Sequence, residues 1–456
     1  MDEAPISCFR DQLQFLERAG EVRRIERQVA AKFEVAAVTK RVDPGPALFF
    51  ERVDDYDIPV VMGMDSTRAR IAMSLGTTQT GLIDRYGAAL KEPLAPVEVA
   101  TGPVKELIST GDVDLLRDLP ILTHYEQDGG PYITTGLVVV EDPSRGIRNV
   151  SYHRMQVTGP RELRILLLPR HLRRLWAEAD ERGEELPIAI VIGCDTAQRL
   201  AAATWGASIP LGLDEFSIAG ALKGRPEEMV RCETSGVRVP ANAEIVIEGA
   251  LLPGALKSEG PFAEFTGNYG GVVQGQLIRV DAITRRRDAI YQGLVAFTAE
   301  HMQLQGMPNE PVMRNAMRQI LPETHAVHIT PSGCGKFHAV VQISKRHESD
   351  GRDAILAAFS AVRDVKLVTV VDEDVDPFNP RDVEWAVSTR FQADRDVVIV
   401  ERSWGNLLDP STYGTKITAK MGLDATKPLA GGDQFTKAIV PGAAELDIAA
   451  YLTPSL

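Results

Sequence analysis

The sequence predicts a multidomain protein of mixed α+β and α/β class, with an α/β domain at each end and a partly closed β-barrel between them. Three observations predict this. At 456 residues the chain exceeds the size at which one hydrophobic core keeps growing, so two or three domains are expected. With 44% hydrophobic residues it can fill more than one core. The local texture also changes twice, from mixed to β-rich near Thr134 and back to alternating strands and helices after about residue 322. The expected divisions are residues 1–115, 116–300, a linker helix at 301–322, and 323–456.

Taken in order, residues 7 to 30 read as a helix and a short strand, with Phe9, Leu13, Phe15, Leu16 and Val22 as the apolar positions. Val60-Val61-Met62 is a strand, and the proline- and acid-rich passage from Pro93 to Pro120 closes the first domain. Six short runs of strand formers bounded by turn residues follow: Thr135 to Val140, Val150 to Val157, Ile188 to Ile192, Ala243 to Glu248, Gln276 to Ile283 and Ala289 to Val295. Helices such as Arg170 to Arg182 interrupt them. Glu310 to Ile320 has helical spacing at Val312, Met313, Met317 and Ile320, with Pro311 suited to the first turn. Strands at Ala326 to Ile329, Ala339 to Ile343, Leu367 to Val371 and Val397 to Val400, with a helix at Asp353 to Phe359, then suggest βαβ units.

Bulk properties exclude several functions. A formal charge of −13 argues against nucleic acid or an anionic membrane as the main partner. The run Arg285-Arg286-Arg287 reads as a solvated turn between strands, whereas Arg170, Arg173 and Arg174 around His171 leave room for a local phosphate site. Four cysteines without C-x-x-C spacing fit reduced thiols, the N-terminus has no secretory pattern, and no run of about 18 uncharged apolar residues exists. A cytoplasmic protein without a membrane span is therefore expected. Gly267, Gly270, Gly271 and Gly275 match neither a Walker loop nor a dinucleotide fingerprint.

Two stretches carry chemistry. In Ser258-Glu259-Gly260-Pro261-Phe262-Ala263-Glu264-Phe265, two carboxylates lie five residues apart around a Gly-Pro that excludes regular helix. In Asn149-Val150-Ser151-Tyr152-His153-Arg154, an amide and a guanidinium lie five apart in strand-forming sequence. Among 63 acidic residues such spacings also arise by chance, and a buried ion pair without chemistry is the commoner fate of an Arg and a Glu.

Together with His171 in Leu-Pro-Arg-His-Leu and Glu215 in Leu-Asp-Glu-Phe-Ser-Ile-Ala-Gly, these stretches resemble the UbiD family of prenylated-flavin-dependent reversible decarboxylases, from about residue 5 to 440. The resemblance implies a central split β-barrel of the flavin-reductase type and a C-terminal domain that forms homodimers or higher homo-oligomers. It implies catalysis by Arg154, Glu259 and Glu264 through a prenylated-flavin adduct, with Arg154 orienting the carboxylate and Glu264 donating the proton. Asn149, His171 and Glu215 would hold Mn²⁺ or Mg²⁺ against the phosphate of prenylated FMN, a mixed oxygen and nitrogen set that suits such ions. Cofactor contacts would come from Ser151, Tyr152, His153, Arg154, Arg170, His171, Ala207, Ser208, Ile209, Pro210, Glu215 and Lys416, with carbonyls of Trp205 to Pro210 suited to K⁺. A flavin prenyltransferase would supply the cofactor, and CO₂ would be the second product.

Thr330 to Val341 and Val371 to Pro380 resemble the branch acting on furan, pyrrole and indole carboxylates, which implies a small heteroaromatic acid met by Phe265, His301 and Gln303. Only His301 and Arg170 offer a second cationic anchor, so a monocarboxylic acid is expected. Another aromatic or α,β-unsaturated acid is the alternative substrate. A non-catalytic flavin-binding scaffold and a metal-dependent hydrolase are the alternatives of different class.

Overall fold

In a computed structural model the described residues are 6–142, 144–204, 209–442, 446 and 451. The first layer is a four-stranded sheet in the order Val22–Ile25, Ala47–Phe50, Val60–Met62, Tyr291–Gln292. Helix Phe9–Arg18 covers it, burying Phe9, Leu13 and Leu16 against Val22, Phe49 and Val61. The last strand corrects the sequence reading. Ala289 to Val295 was expected in the barrel, but only Tyr291–Gln292 is extended, and it pairs with Val60–Met62. The Gln292 side chain then accepts from the Cys194 N–H (3.1 Å), joining this sheet to the central one.

The central sheet runs Tyr132–Ile133, Met155–Gly159, Glu162–Ile165, Val273–Arg285, Ile245–Glu259, Leu186–Ile192, Leu137–Asp142, Ile147–Tyr152, and Leu107–Ser109 also pairs with Val273–Arg285. All these pairings are antiparallel. Side chains alternate between two cores, as a period of two requires: Val138, Val140, Ile188, Ile190 and Ile247 enter one, and Leu137, Val139, Ala189, Val191 and Val246 the other. Burial on both faces explains why these strands read as continuous apolar runs.

Two differences from the sequence reading shape the site. The expected strand Val150 to Val157 is broken after Tyr152. Tyr152 pairs with Leu137 at one end of the sheet, while Met155 pairs with Ile133 and Ile165 near the other. Hydrogen bonds therefore do not close the barrel among the described residues; the two-residue link His153-Arg154 spans its split. The second difference is that Ala243 to Glu248 extends to Glu259. The register slips between Leu251 and Leu256, so Leu252, Pro253, Gly254 and Ala255 bulge outward and pairing resumes as far as Glu259 opposite Val273. Pro253 and Gly254 look like a strand end in sequence and act as a bulge in the fold.

Helices Ala299–Gly306 and Glu310–Arg318 lead into a five-stranded sheet in the order Thr324–Ile329, His338–Ile343, Leu367–Asp372, Ile417–Ala425, Val397–Trp404. Met313 and Met317 are buried against this sheet, but Ile320 lies beyond the helix and is exposed. A buried ion cluster ties the first layer to the central unit: Arg199 meets Asp65 of the first layer (2.6 Å) and Glu300 of helix Ala299–Gly306 (3.0 Å). No described helix is long and apolar enough to cross a membrane.

Candidate active site

The break in the sheet places Arg154 where its guanidinium can turn inward. Its Nε and Nη2 donate to the two oxygens of Glu259 at 3.0 Å each, a bidentate pair, and its Nη1 donates to Glu264. The sequence-predicted trio is thus one hydrogen-bonded cluster. Glu259 is reached by the resumed strand after the bulge. Glu264 is held by a tight turn in which its own N–H donates to the Asn268 carbonyl (2.9 Å) and the Gly267 N–H donates back to the Glu264 carbonyl (3.0 Å).

Asp128, Gly129 and Gln156 brace this loop. Asp128 accepts from the N–H groups of Tyr125 (2.9 Å) and Ala263 (3.0 Å). Gln156 takes the Gly260 N–H (3.1 Å) while donating to the Gly129 carbonyl (2.7 Å).

Burial pushes the Glu264 carboxyl above its ordinary pKa, Arg154 and Lys336 oppose the shift, and Glu259 and Asp128 reinforce it. An arginine contact alone would lower it. Burial prevails because Arg154 divides its charge between two carboxylates, two of its three donors serving Glu259. Glu264 is therefore a buried acid that retains its proton above the usual carboxylate range.

A second cluster forms at strand Ile147–Tyr152, the strand that leads into Arg154. Asn149 Nδ2 and the Val150 N–H both donate to Glu215 at 2.8 Å, one to each oxygen. Glu215 opens helix Glu215–Lys223, next to the capping Asp214. Its pKa is pushed up to about 8, chiefly by burial and further by Asp214. Asn149 Oδ1 is buried with no hydrogen-bond partner. A buried carboxylate whose ionised form is disfavoured and an unsatisfied amide oxygen beside it are what a cation site looks like without its ion.

His171 opens helix His171–Glu181, which packs against strand Ile147–Tyr152. Burial and Arg174 lower its pKa, which favours the neutral imidazole that can ligate. Among the described residues no three His, Cys, Asp or Glu side chains gather into a metal set, and a set that held an ion here would include the Asn149 amide. The residues present fit such an ion.

The remaining predicted contacts fall in different places. Ser151 Oγ and His153 Nε2 are 3.1 Å apart, and His153 is driven to a pKa of about 4 by burial, hence neutral. Tyr152 OH is buried without a hydrogen-bond partner. Arg170 caps the His171 helix, and burial lowers its pKa against the pull of Asp364. Ile209 is buried and Pro210 exposed, while Ala207 and Ser208 lie outside the described residues. Lys416 is exposed, with positive φ, and its carbonyl accepts from the Gly405 N–H (2.8 Å). Among the described residues no side-chain contact joins Lys416 to Arg154, Glu259 or Glu264.

Phe265 is buried and meets Phe337 edge-on at 5.4 Å. His301 and Gln303 are both half-buried on helix Ala299–Gly306, but residues two apart on a helix do not share a face. His301 Nδ1 accepts the Phe297 N–H (3.3 Å), and burial lowers its pKa to about 4. Sequence reasoning missed Lys336. It lies buried with Nζ 4.8 Å from the Phe265 ring centroid and 3.9 Å from Asp364. Burial takes its pKa down to about 8. Its segment, Thr330 to Val341, carries a family resemblance, but no spacing marks this lysine as a neighbour of Glu264.

Three family models match the chain: the N-terminal domain of 3-octaprenyl-4-hydroxybenzoate carboxy-lyase over residues 13–90, its Rift-related domain over 96–298 and its C-terminal domain over 302–425. Anhydromevalonate phosphate decarboxylase of Methanothermobacter thermautotrophicus is 39% identical over 424 residues, 93% of this chain and 98% of that protein. The UbiD-class enzyme HmfF from Pelotomaculum thermopropionicum, solved with FMN, superposes with a TM-score of 0.95 at 43% identity, over 98% of this chain and 100% of the other. The 3,4-dihydroxybenzoic acid decarboxylase of Enterobacter cloacae superposes with a TM-score of 0.92 at 32% identity, over 98% and 99% of the two chains. With its three domains matched in order and its Arg154–Glu259–Glu264 cluster assembled, the chain belongs to the UbiD family of carboxy-lyases.

Proposed function

We propose that this enzyme catalyses reversible, non-oxidative decarboxylation of a small heteroaromatic carboxylic acid, with prenylated FMN as cofactor, Mn²⁺ or Mg²⁺ at Asn149, His171 and Glu215, and K⁺ at residues 205–210. The observation that carries the reading is Glu264, a buried proton-holding acid fixed to an arginine that is itself clamped by Glu259. A scaffold that merely held flavin would have no need of it. Two of the relatives' solved structures contain FMN and prenylated FMN, which supports the cofactor. Loss of CO₂ from an sp² carbon leaves a carbanion that side chains stabilise poorly, and the flavin supplies the electron sink.

The chain's own groups then have distinct tasks. Arg154 orients the substrate carboxylate, and Glu259 keeps its fork from swinging. Glu264 delivers the proton to the ring carbon that CO₂ has left, and in the carboxylation direction it removes the proton. Phe262, Phe265 and Phe337 exclude water. Because the Phe297 N–H occupies His301 Nδ1, neutral His301 carries its proton on Nε2, so the group it can meet is an acceptor such as a ring or substituent oxygen.

The test is a panel of acids with enzyme produced alongside a flavin prenyltransferase. Furan-2-carboxylate, pyrrole-2-carboxylate or indole-3-carboxylate should lose CO₂, cinnamate should be poor, and high bicarbonate should drive the reverse reaction. A clear preference for cinnamate over every heteroaromatic acid would overturn the substrate assignment. Similarity to anhydromevalonate phosphate decarboxylases favours a second reading, a phosphorylated unsaturated acid, which the same panel tests with a phosphorylated alkenoate.

A further inference from the structure

Lys336 approaches the catalytic acid from another unit of the fold. It follows a left-handed pair, Cys334 (φ 59°) and Gly335 (φ 61°), that presses the chain onto the helix bearing His301. A Cβ at Gly335 would stand 2.5 Å from the Met302 carbonyl oxygen, and Gln305 of the same helix donates to the Cys334 carbonyl (3.3 Å). The lysine is thereby pinned at its backbone, while Lys336 and Phe337 both pack on Phe265, the residue next to Glu264. A flexible ammonium buried on an aromatic wall beside an acid is costly to desolvate, and packing alone would be served by an apolar side chain.

We propose that Lys336 is a positioning residue for the Glu264 proton donor: it supplies the charge that stabilises the Glu264 carboxylate once its proton has been delivered. The assignment rests on Glu264 being that donor. When Glu264 ionises, Glu259 and Asp128 oppose its charge, and Arg154 is already shared with Glu259 and the substrate carboxylate. Lys336 is the cation left to act on it. Lys336 itself faces Asp364 and Arg170 as well as Glu264, and its charge also disfavours the imidazolium of His301. One lysine thus eases ionisation of the acid that donates and keeps the neighbouring histidine neutral.

The sign is fixed by electrostatics. Removing the cation must raise the Glu264 pKa, and removing Asp364, the anion that holds Lys336 in its charged form, must act in the same direction. In the holoenzyme, the limb of the kcat–pH profile on which activity falls with rising pH should move up by about one pH unit in Lys336→Gln, with a lower plateau because a weaker acid gives up its proton more slowly. It should also move up in Asp364→Asn, and return to its original place in Lys336→Arg. A ¹³C-glutamate titration, with the Glu264 resonance assigned by its loss in Glu264→Gln, should move in the same directions. An unmoved Glu264 resonance in both Lys336→Gln and Asp364→Asn would overturn the proposal, and Asp364→Asn keeps the test open if Lys336→Gln does not fold. Movement of the resonance without the kinetic limb would instead remove Glu264 as the donor, leaving its coupling to Lys336 established.

Discussion

As the proposed proton donor, Glu264 must hold a proton beside an arginine and release it to carbon, and its surroundings suit both demands. Burial raises its pKa, while the Arg154 and Lys336 charges limit how weak an acid it becomes. Glu264→Gln should therefore preserve the fold and the bound cofactor, since the amide still accepts from Arg154, yet lower kcat by about 10² to 10⁴ because it has no proton to give. Turnover within a factor of a few of the parent would assign the donor elsewhere. At this scale much was legible: Arg154, Glu259, Glu264, Asn149 and Glu215 were each marked by short motifs, and the fold joins them by hydrogen bonds. Lys336 was not legible. Its closeness to Phe265 arises when the C-terminal unit docks on the central one, and no local spacing records docking.

At the scale of elements, the proposed cation site is built from ends. Glu215 and His171 each open a helix, and Asn149 lies on the strand against which the His171 helix packs. First-turn side chains lie beside unpaired backbone N–H groups, which favours phosphate nearby. His171→Ala should lose divalent metal and flavin together, measured by metal analysis and the flavin absorbance of purified protein, because with one of three ligands gone the ion no longer bridges protein and phosphate. Normal flavin occupancy at normal metal content would count against the site. The strands were legible as apolar runs, but two junctions were not. The break after Tyr152 and the bulge at 252–255 are decided by long-range pairing, Tyr152 with Leu137 and Leu256 with Gln276, which local propensity does not encode. These two irregularities deliver Arg154 and Glu259 to each other.

At the scale of the molecule, the two outer strands of the C-terminal sheet leave an apolar ribbon uncovered. Ile399 pairs with Met421 and Trp404 with Ile417, and all four side chains are at least 40% exposed. Single exposed apolar residues are ordinary, but two cross-strand pairs on one ribbon form a patch that seeks a partner. A strand edge adds to this, since Val397–Trp404 pairs on one side only among the described residues. A second copy of the chain is the occupant we expect, in line with the resemblance that implied homodimers or higher homo-oligomers. Charge on the ribbon should then act on assembly before it acts on chemistry, because Arg154, Glu259 and Glu264 lie in the central unit. Ile399→Asp combined with Met421→Asp should shift sedimentation toward the monomer at micromolar concentration while far-ultraviolet circular dichroism stays unchanged. An oligomer of parental size in that double variant would place the subunit contact on another face.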